Sequence, residues 1–131
     1  MMFQSRENGG AAAQEPSVRL RVVDGDTFQD RATGERIRLE NIDTPETGGR
    51  ENCAAERQAG ERATSEARRL IAGADRVSVR RTGREDRYGR TIGFVEVDGH
   101  DIGRLLMDAG LARPWRGRRE EWCAADGSLL P

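Results

Sequence analysis

Three short segments concentrate the side chains able to do chemistry. They are Asp24-Gly25-Asp26-Thr27, then Arg38-Leu39-Glu40-Asn41-Ile42-Asp43-Thr44-Pro45-Glu46, then Asp86-Arg87-Tyr88-Gly89-Arg90. Each mixes carboxylates with arginine. Asp26 and Asp43 are hard oxygen donors. With backbone carbonyls and water they suit Ca²⁺, which accepts many oxygens in loose geometry. Neither cysteine nor the single histidine falls in these segments, so zinc is not indicated. Arg38 and Arg90 offer planar forks for the nonbridging oxygens of a phosphate. Glu46, a few residues beyond Asp43, is a carboxylate able to take a proton from water. Phosphodiester cleavage asks for a nucleophilic water, neutralisation of a pentacoordinate phosphorane and help for the leaving group. Taken singly, each residue has a plainer reading. Asp-Gly-Asp is most often a turn, Thr44-Pro45 reads as an extended dipeptide, and Arg38 as an outward strand residue.

These segments need elements that bring them together. Val18, Leu20 and Val22 alternate with Arg19 and Arg21, the period of a half-buried strand. A turn at Asp24-Gly25 leads to a return strand from Thr27. A second turn at Thr33-Gly34 leads to a third strand with Ile37 and Leu39 inward. The period then changes. From Asn52 to Ala72, Ala55, Ala59, Ala63, Ala67, Leu70 and Ile71 fall on one helical face, and Gly73 supplies a stop. That stripe is mostly alanine, which predicts a helix lying close to the sheet. Strands follow at Asp75–Arg81 and Thr91–Val97, then a short helix with Ile102, Leu105, Leu106 and Ala109 inward, closed by Gly110. The reading is α+β, mainly β: a five-stranded OB-fold barrel with a long helix between strands 3 and 4 and a short helix after strand 5. Such a scaffold often handles oligonucleotides, although fold alone does not establish function.

The three motifs, in this order on this element sequence, closely resemble the staphylococcal nuclease (thermonuclease) family. The resemblance runs from about Val18 to Trp115 and includes Gly110-Leu111-Ala112. It implies an OB-fold and a Ca²⁺-dependent endonuclease acting on DNA and RNA that leaves 3′-phosphate and 5′-hydroxyl ends. By position, Asp26 and Asp43 would bind Ca²⁺ through carboxylates and Thr44 through its backbone carbonyl. Glu46 would hold or deprotonate the attacking water, and Arg38 and Arg90 would grip the phosphate. Arg87 and Tyr88 match positions that contact the nucleotide, with Arg87 in place of the more familiar lysine. The family's tyrosine after Gly-Leu-Ala is not evident. Trp115 stands in that region and reads either as a base-stacking residue or as a core cap. The family's C-terminal helix looks truncated, since 116–131 has no sustained helical pattern.

The whole chain sets limits on these readings. It has 131 residues, room for one domain. Residues 1–16 read as a disordered lead-in and 17–131 as the folded domain. The net charge is −1, which argues against constitutive coating of nucleic acid, and all 22 basic residues are arginine, read mainly as compositional bias. No stretch approaches the roughly 20 apolar residues of a membrane span. Cys53 and Cys123 are either two buried thiols or one disulfide closing a long loop, worth about 4 kcal/mol if formed. The disulfide is the preferred reading, and it would imply an oxidising compartment: a bacterial protein, secreted or periplasmic. Ala11-Ala12-Ala13 offers only a weak cue to a cleaved leader. The run Arg116, Arg118, Arg119, Glu120, Glu121 reads as a solvated face. The expected partner is single-stranded DNA or RNA, and the expected state a monomer. The competing reading is a nuclease-like OB domain that binds single-stranded nucleic acid without cutting it. Such a domain would ordinarily lack one of the carboxylates or arginines present here.

Overall fold

The computed structural model describes residues 17–131. The lead-in expected over 1–16 lies outside the described residues. Strand β1 (Leu20–Asp24) turns into β2 (Thr27–Asp30), and β3 (Arg36–Leu39) follows. All three pair antiparallel, with Val22 opposite Phe28 and Phe28 opposite Ile37. This register places Leu20, Val22, Phe28, Ile37 and Leu39 in one core. A two-residue strand, β4 (Ile42–Asp43), precedes helix α1 (Ala54–Gly73). Then come β5 (Val77–Glu85), β6 (Thr91–Val97), β7 (His100–Asp101), α2 (Ile102–Asp108) and β8 (Arg113–Pro114).

The main sheet has the order β1-β2-β3-β6-β5, with β7 also on β6. β3 and β6 run parallel, Ile37 beside Thr91, while the other pairs are antiparallel. The architecture is OB-like α+β, but the closed five-stranded barrel is corrected to an open sheet with β1 and β5 at its edges. The backbone N–H of Val18 donates to the Val77 carbonyl at 2.9 Å. That contact precedes Leu20, where the β1 ladder begins, and it meets only the first residue of β5. The two edges therefore touch at one end and do not zip. β5 also runs four residues past its predicted end, to Glu85, through an irregularity between Arg81 and Glu85. β7 intervenes before the second helix.

Phe28, Ile37, Leu39, Ile42, Ile102 and Leu106 are fully enclosed. Each such side chain contributes about 1.5–3 kcal/mol relative to exposure. The alanine stripe of α1 is buried at Ala59, Ala63 and Ala67, together with Gly60 and Thr64. Small residues let the helix approach the loops closely. A Cβ on Gly60 would lie 2.6 Å from the Pro45 carbonyl oxygen, and one on Gly25 would lie 3.0 Å from Ala63 Cβ. The two loops that carry the acidic segments are thus seated on α1 with no room to spare.

The end of the chain is irregular and its charge run mostly exposed, as expected, but it folds back onto the domain. β8 pairs with β4, Pro114 opposite Ile42 and Arg113 opposite Asp43. Beyond it the chain forms a small hairpin, with Leu130 N–H to Trp122 O at 2.8 Å and Ala124 N–H to Ser128 O at 2.7 Å. Trp122 is buried, with the Arg113 guanidinium 4.0 Å from its ring centroid. A Cys53–Cys123 disulfide ties this hairpin to the N-cap of α1. Among the described residues, no helix is long and apolar enough to cross a membrane.

Candidate active site

The β1–β2 turn, the end of β3, β4 and the loop before α1 meet at one end of the sheet. There Arg38 lies between two carboxylates, its Nη2 3.6 Å from Asp26 Oδ2 and 3.6 Å from Asp43 Oδ1. Its Nη1 donates to the carbonyls of Leu39 at 2.5 Å and Ile42 at 2.9 Å. Two backbone acceptors thus fix the guanidinium and leave the Nη2 edge facing the acids. Thr44 N–H donates to Asp26 Oδ2 at 3.1 Å, which ties the β4 end to the β1–β2 turn.

Arg90 reaches the same centre from the other side. Its Nη1 lies 3.4 Å from Thr27 Oγ1, and Thr27 in turn donates to Asp26 Oδ1 at 3.1 Å. Asp86 organises the loop before β6. Its Oδ1 accepts the N–H groups of Tyr88 and Arg90, both at 2.9 Å, and its Oδ2 accepts Arg90 Nε at 2.7 Å. Burial would raise the Asp86 carboxyl, but these donors and the Arg90 charge hold it below its ordinary range. Tyr88 is 57% exposed, its ring flanked by the guanidinium groups of Arg87 at 5.1 Å and Arg90 at 5.4 Å. Trp115 is also exposed at its rim and covers Arg38, with 5.1 Å from guanidinium to ring centroid.

Glu46 stands at the edge of the carboxylate group. Arg50 Nε donates to Glu46 Oε1 at 3.0 Å, and Arg50 Nη2 lies 3.5 Å from Asp24 Oδ2. Arg119 Nε lies 3.4 Å from Glu46 Oε2. The residues singled out from sequence therefore converge: Asp26, Arg38 and Asp43 directly, Thr44 through one hydrogen bond and Arg90 through two by way of Thr27. Glu46 joins through Arg50 and Asp24.

Four positions were not singled out from sequence. Glu56 is completely buried on α1, where it accepts Glu46 N–H at 2.9 Å and Asn52 N–H at 2.8 Å. Glu120 donates its N–H to Asp43 Oδ2 at 2.9 Å. Arg50 and Arg119 complete the set. A glutamate on the alanine face of α1 was the one available signal, because an acid at a core position requires paired donors.

The electrostatics favour a bound cation. Burial and the neighbouring Asp26 charge push Asp24 up to about 7. Burial, offset by the Glu120 N–H and raised again by the Asp26 charge, pushes Asp43 up to about 6. Asp26 falls below its ordinary value although burial opposes this, because Arg38 and its hydrogen bonds outweigh desolvation. Asp43 Oδ1 is buried without a hydrogen-bond partner. Among the described residues, no three Asp, Glu, His or Cys side chains form a ready-made metal cage. An Asp43 oxygen with an ion pair to Arg38 but no hydrogen bond, the acid crowding and the all-oxygen donor set fit a hard cation that completes its shell with carbonyls and water.

The fold and this centre define a small OB-like domain equipped for phosphate chemistry. A family model described as staphylococcal nuclease homologue matches residues 36–126, and the chain belongs to that family. It is 35% identical over 96 residues to the SPbeta prophage-derived endonuclease YokF of Bacillus subtilis (strain 168), covering 71% of this chain and 32% of that protein. It is 33% identical over 96 residues to Endonuclease YncB of the same organism, covering 71% and 44%. The succinoglycan biosynthesis protein ExoI of Rhizobium meliloti (strain 1021) is 35% identical over 107 residues, covering 78% and 54%. The chain thus spans between about a third and about a half of the length of these relatives.

Proposed function

We propose that this domain is a Ca²⁺-dependent endonuclease that hydrolyses single-stranded DNA and RNA. The observation that carries the reading is Arg38 held between Asp26 and Asp43 with Arg90 facing the same centre through Thr27. Two relatives are named endonucleases, which supports it.

Asp26, Asp43 and the Thr44 carbonyl would hold the cation. When bound, Ca²⁺ supplies positive charge at the phosphate oxygens. Arg38 and Arg90 bind nonbridging oxygens from two sides and offset the charge that grows on them in the transition state. Glu46 accepts a proton from the attacking water. Attack on phosphorus with departure of the 5′-oxygen, which takes up a proton from solvent, yields a 3′-phosphate and a 5′-hydroxyl. Tyr88 and Trp115 form an aromatic rim for bases, and Arg87 adds a cation beside Tyr88. The protein would act as a monomer in an oxidising compartment, secreted or periplasmic in a bacterium, in keeping with its disulfide.

The test is cleavage of single-stranded DNA with Ca²⁺, with and without chelator, by wild type, Glu46→Gln and Arg38→Ala. Cleavage should stop with chelator and fall by at least about a hundredfold in each variant. Cutting that ignores chelator, or survives both substitutions, would refute the reading. Retained binding without cutting would make this a recognition domain.

A further inference from the structure

We propose that Arg119 is a positioning residue for Glu46, and that the Cys53–Cys123 disulfide is the tether that keeps it in place. This rests on the nuclease reading above. Arg119 reaches back over the loop before α1, with Nε 3.4 Å from Glu46 Oε2 and Nη2 3.7 Å from Glu56 Oε2. Glu56 Oε2 is also the acceptor for the Glu46 N–H. One guanidinium thus spans the carboxylate of the candidate base and the buried acid that fixes its backbone. The next residue continues the pattern, Glu120 N–H donating to Asp43 Oδ2 at 2.9 Å.

The tail has its own anchors. The Glu120 side chain is 6% exposed and pairs with Arg116 at 2.9 Å and Arg113 at 3.7 Å. Three residues further on, Cys123 is bonded to Cys53, the N-cap of α1. The other cation on Glu46 is Arg50, three residues before Cys53 and so beside the other end of the same disulfide. Arg50 is 64% exposed against 48% for Arg119, and both lie in segments without regular structure. A carboxylate that takes a proton in the transition state must keep its lone pair aimed within a fraction of an ångström. Of its two cations, Arg119 is the one that also pairs with Glu56, the acid that holds the Glu46 backbone. Arg119 does not contact the Arg38 and Arg90 forks that would grip phosphate, so its loss should change turnover and spare substrate affinity.

The experiment compares four samples on single-stranded DNA with Ca²⁺: oxidised wild type, wild type reduced with dithiothreitol, Arg119→Ala and Arg119→Lys. In the reduction two electrons and two protons pass from the dithiol to the bridge. Cys53 and Cys123 become thiols, and the reagent closes to its own cyclic disulfide. Amide hydrogen exchange over residues 119–123 reports whether the tail is docked, independently of cutting. Oxidised Arg119→Ala should lose about tenfold in kcat with KM within about twofold and normal tail protection. Arg119→Lys, which restores the charge, should recover part of that loss. Reduction should release the tail amides and lower kcat at least as far, and reoxidation should restore both. An active wild type whose Arg119→Ala variant turns over normally would overturn the proposal alone, as would full turnover with the tail released. If reduction unfolds the domain, Arg119→Ala decides. An oxidised wild type that does not cut would remove the nuclease reading and this one with it.

Discussion

Glu56, buried within α1, accepts the backbone N–H of Glu46 at 2.9 Å. Its other oxygen accepts Asn52 N–H at 2.8 Å, so one core carboxylate closes the whole loop between β4 and α1. Glu56→Gln keeps the shape but turns an amide NH₂ toward one of those N–H donors. A buried donor without an acceptor costs about 1–3 kcal/mol. Urea denaturation should show that loss. The kcat for cleavage should fall roughly tenfold because the loop carries Glu46. Unchanged stability would mean that water replaces the lost acceptor.

Gly60 faces the same loop from one turn further along α1. A Cβ there would meet the Pro45 carbonyl and Thr47 Cγ2, both at 2.6 Å. Alanine favours a helix by roughly 0.5–1 kcal/mol over glycine, but forcing backbone apart costs about 1–3 kcal/mol. Gly60→Ala should therefore be destabilising and slow. Gly73→Ala meets nothing within 4 Å and should be neutral or stabilising. A matched pair of thermal melts decides it, and equal shifts for the two variants would refute the close-packing account.

Much of this was legible in the residues. Period-2 runs marked the long strands, and the alanine stripe marked α1 and its closeness to the sheet. The three motifs, through their resemblance to the nuclease family, singled out Asp26, Arg38, Asp43, Glu46 and Arg90, which the fold brings to one end. What escaped was non-local. Arg119 and Glu120 looked like a solvated charge run because their partners, Glu46 and Asp43, lie more than 70 residues away. Trp122 carried no periodic signal, since a two-residue strand and a small hairpin are too short to show one. The open edge between β1 and β5 was likewise invisible, because closure depends on register and twist across residues 60 apart.

The Asp86 side chain orients Arg90 through its bond to Nε at 2.7 Å. Its folded-state pKa lies below the ordinary value. The unfolded chain therefore binds the proton first as pH falls. The contribution is present above about pH 4 and is lost as pH drops through the lower folded value. Asp86→Asn should destabilise by about 1 kcal/mol at pH 7, a modest figure because the pair is partly exposed. The gap to wild type should narrow as pH falls below about 4. Cleavage at pH 7 should weaken in kcat/KM, since Arg90 loses its orienting acceptor. A gap that stays constant down to pH 3 would show that the charge of Asp86 is not what matters.

Trp115 covers Arg38 from outside, its backbone N–H bonded to the Asn41 carbonyl at 2.9 Å. At 38% exposed it can be a base platform, a lid on the arginine, or both. Stacking one base is worth about 1–3 kcal/mol, and a cation over an exposed ring about 0.5–1 kcal/mol. The two roles separate by substrate. If the ring stacks a base, Trp115→Ala should raise KM for single-stranded DNA roughly 5- to 20-fold. It should leave a small phosphodiester with no flanking base almost unaffected, and Trp115→Phe should restore most of the binding. If the ring only shields Arg38, both substrates should lose equally, in kcat more than in KM, and stability should drop with them. Steady-state kinetics on the two substrates, with a urea curve for each variant, tells these apart. A uniform loss would remove Trp115 from the substrate-binding rim and leave Tyr88 as its exposed aromatic.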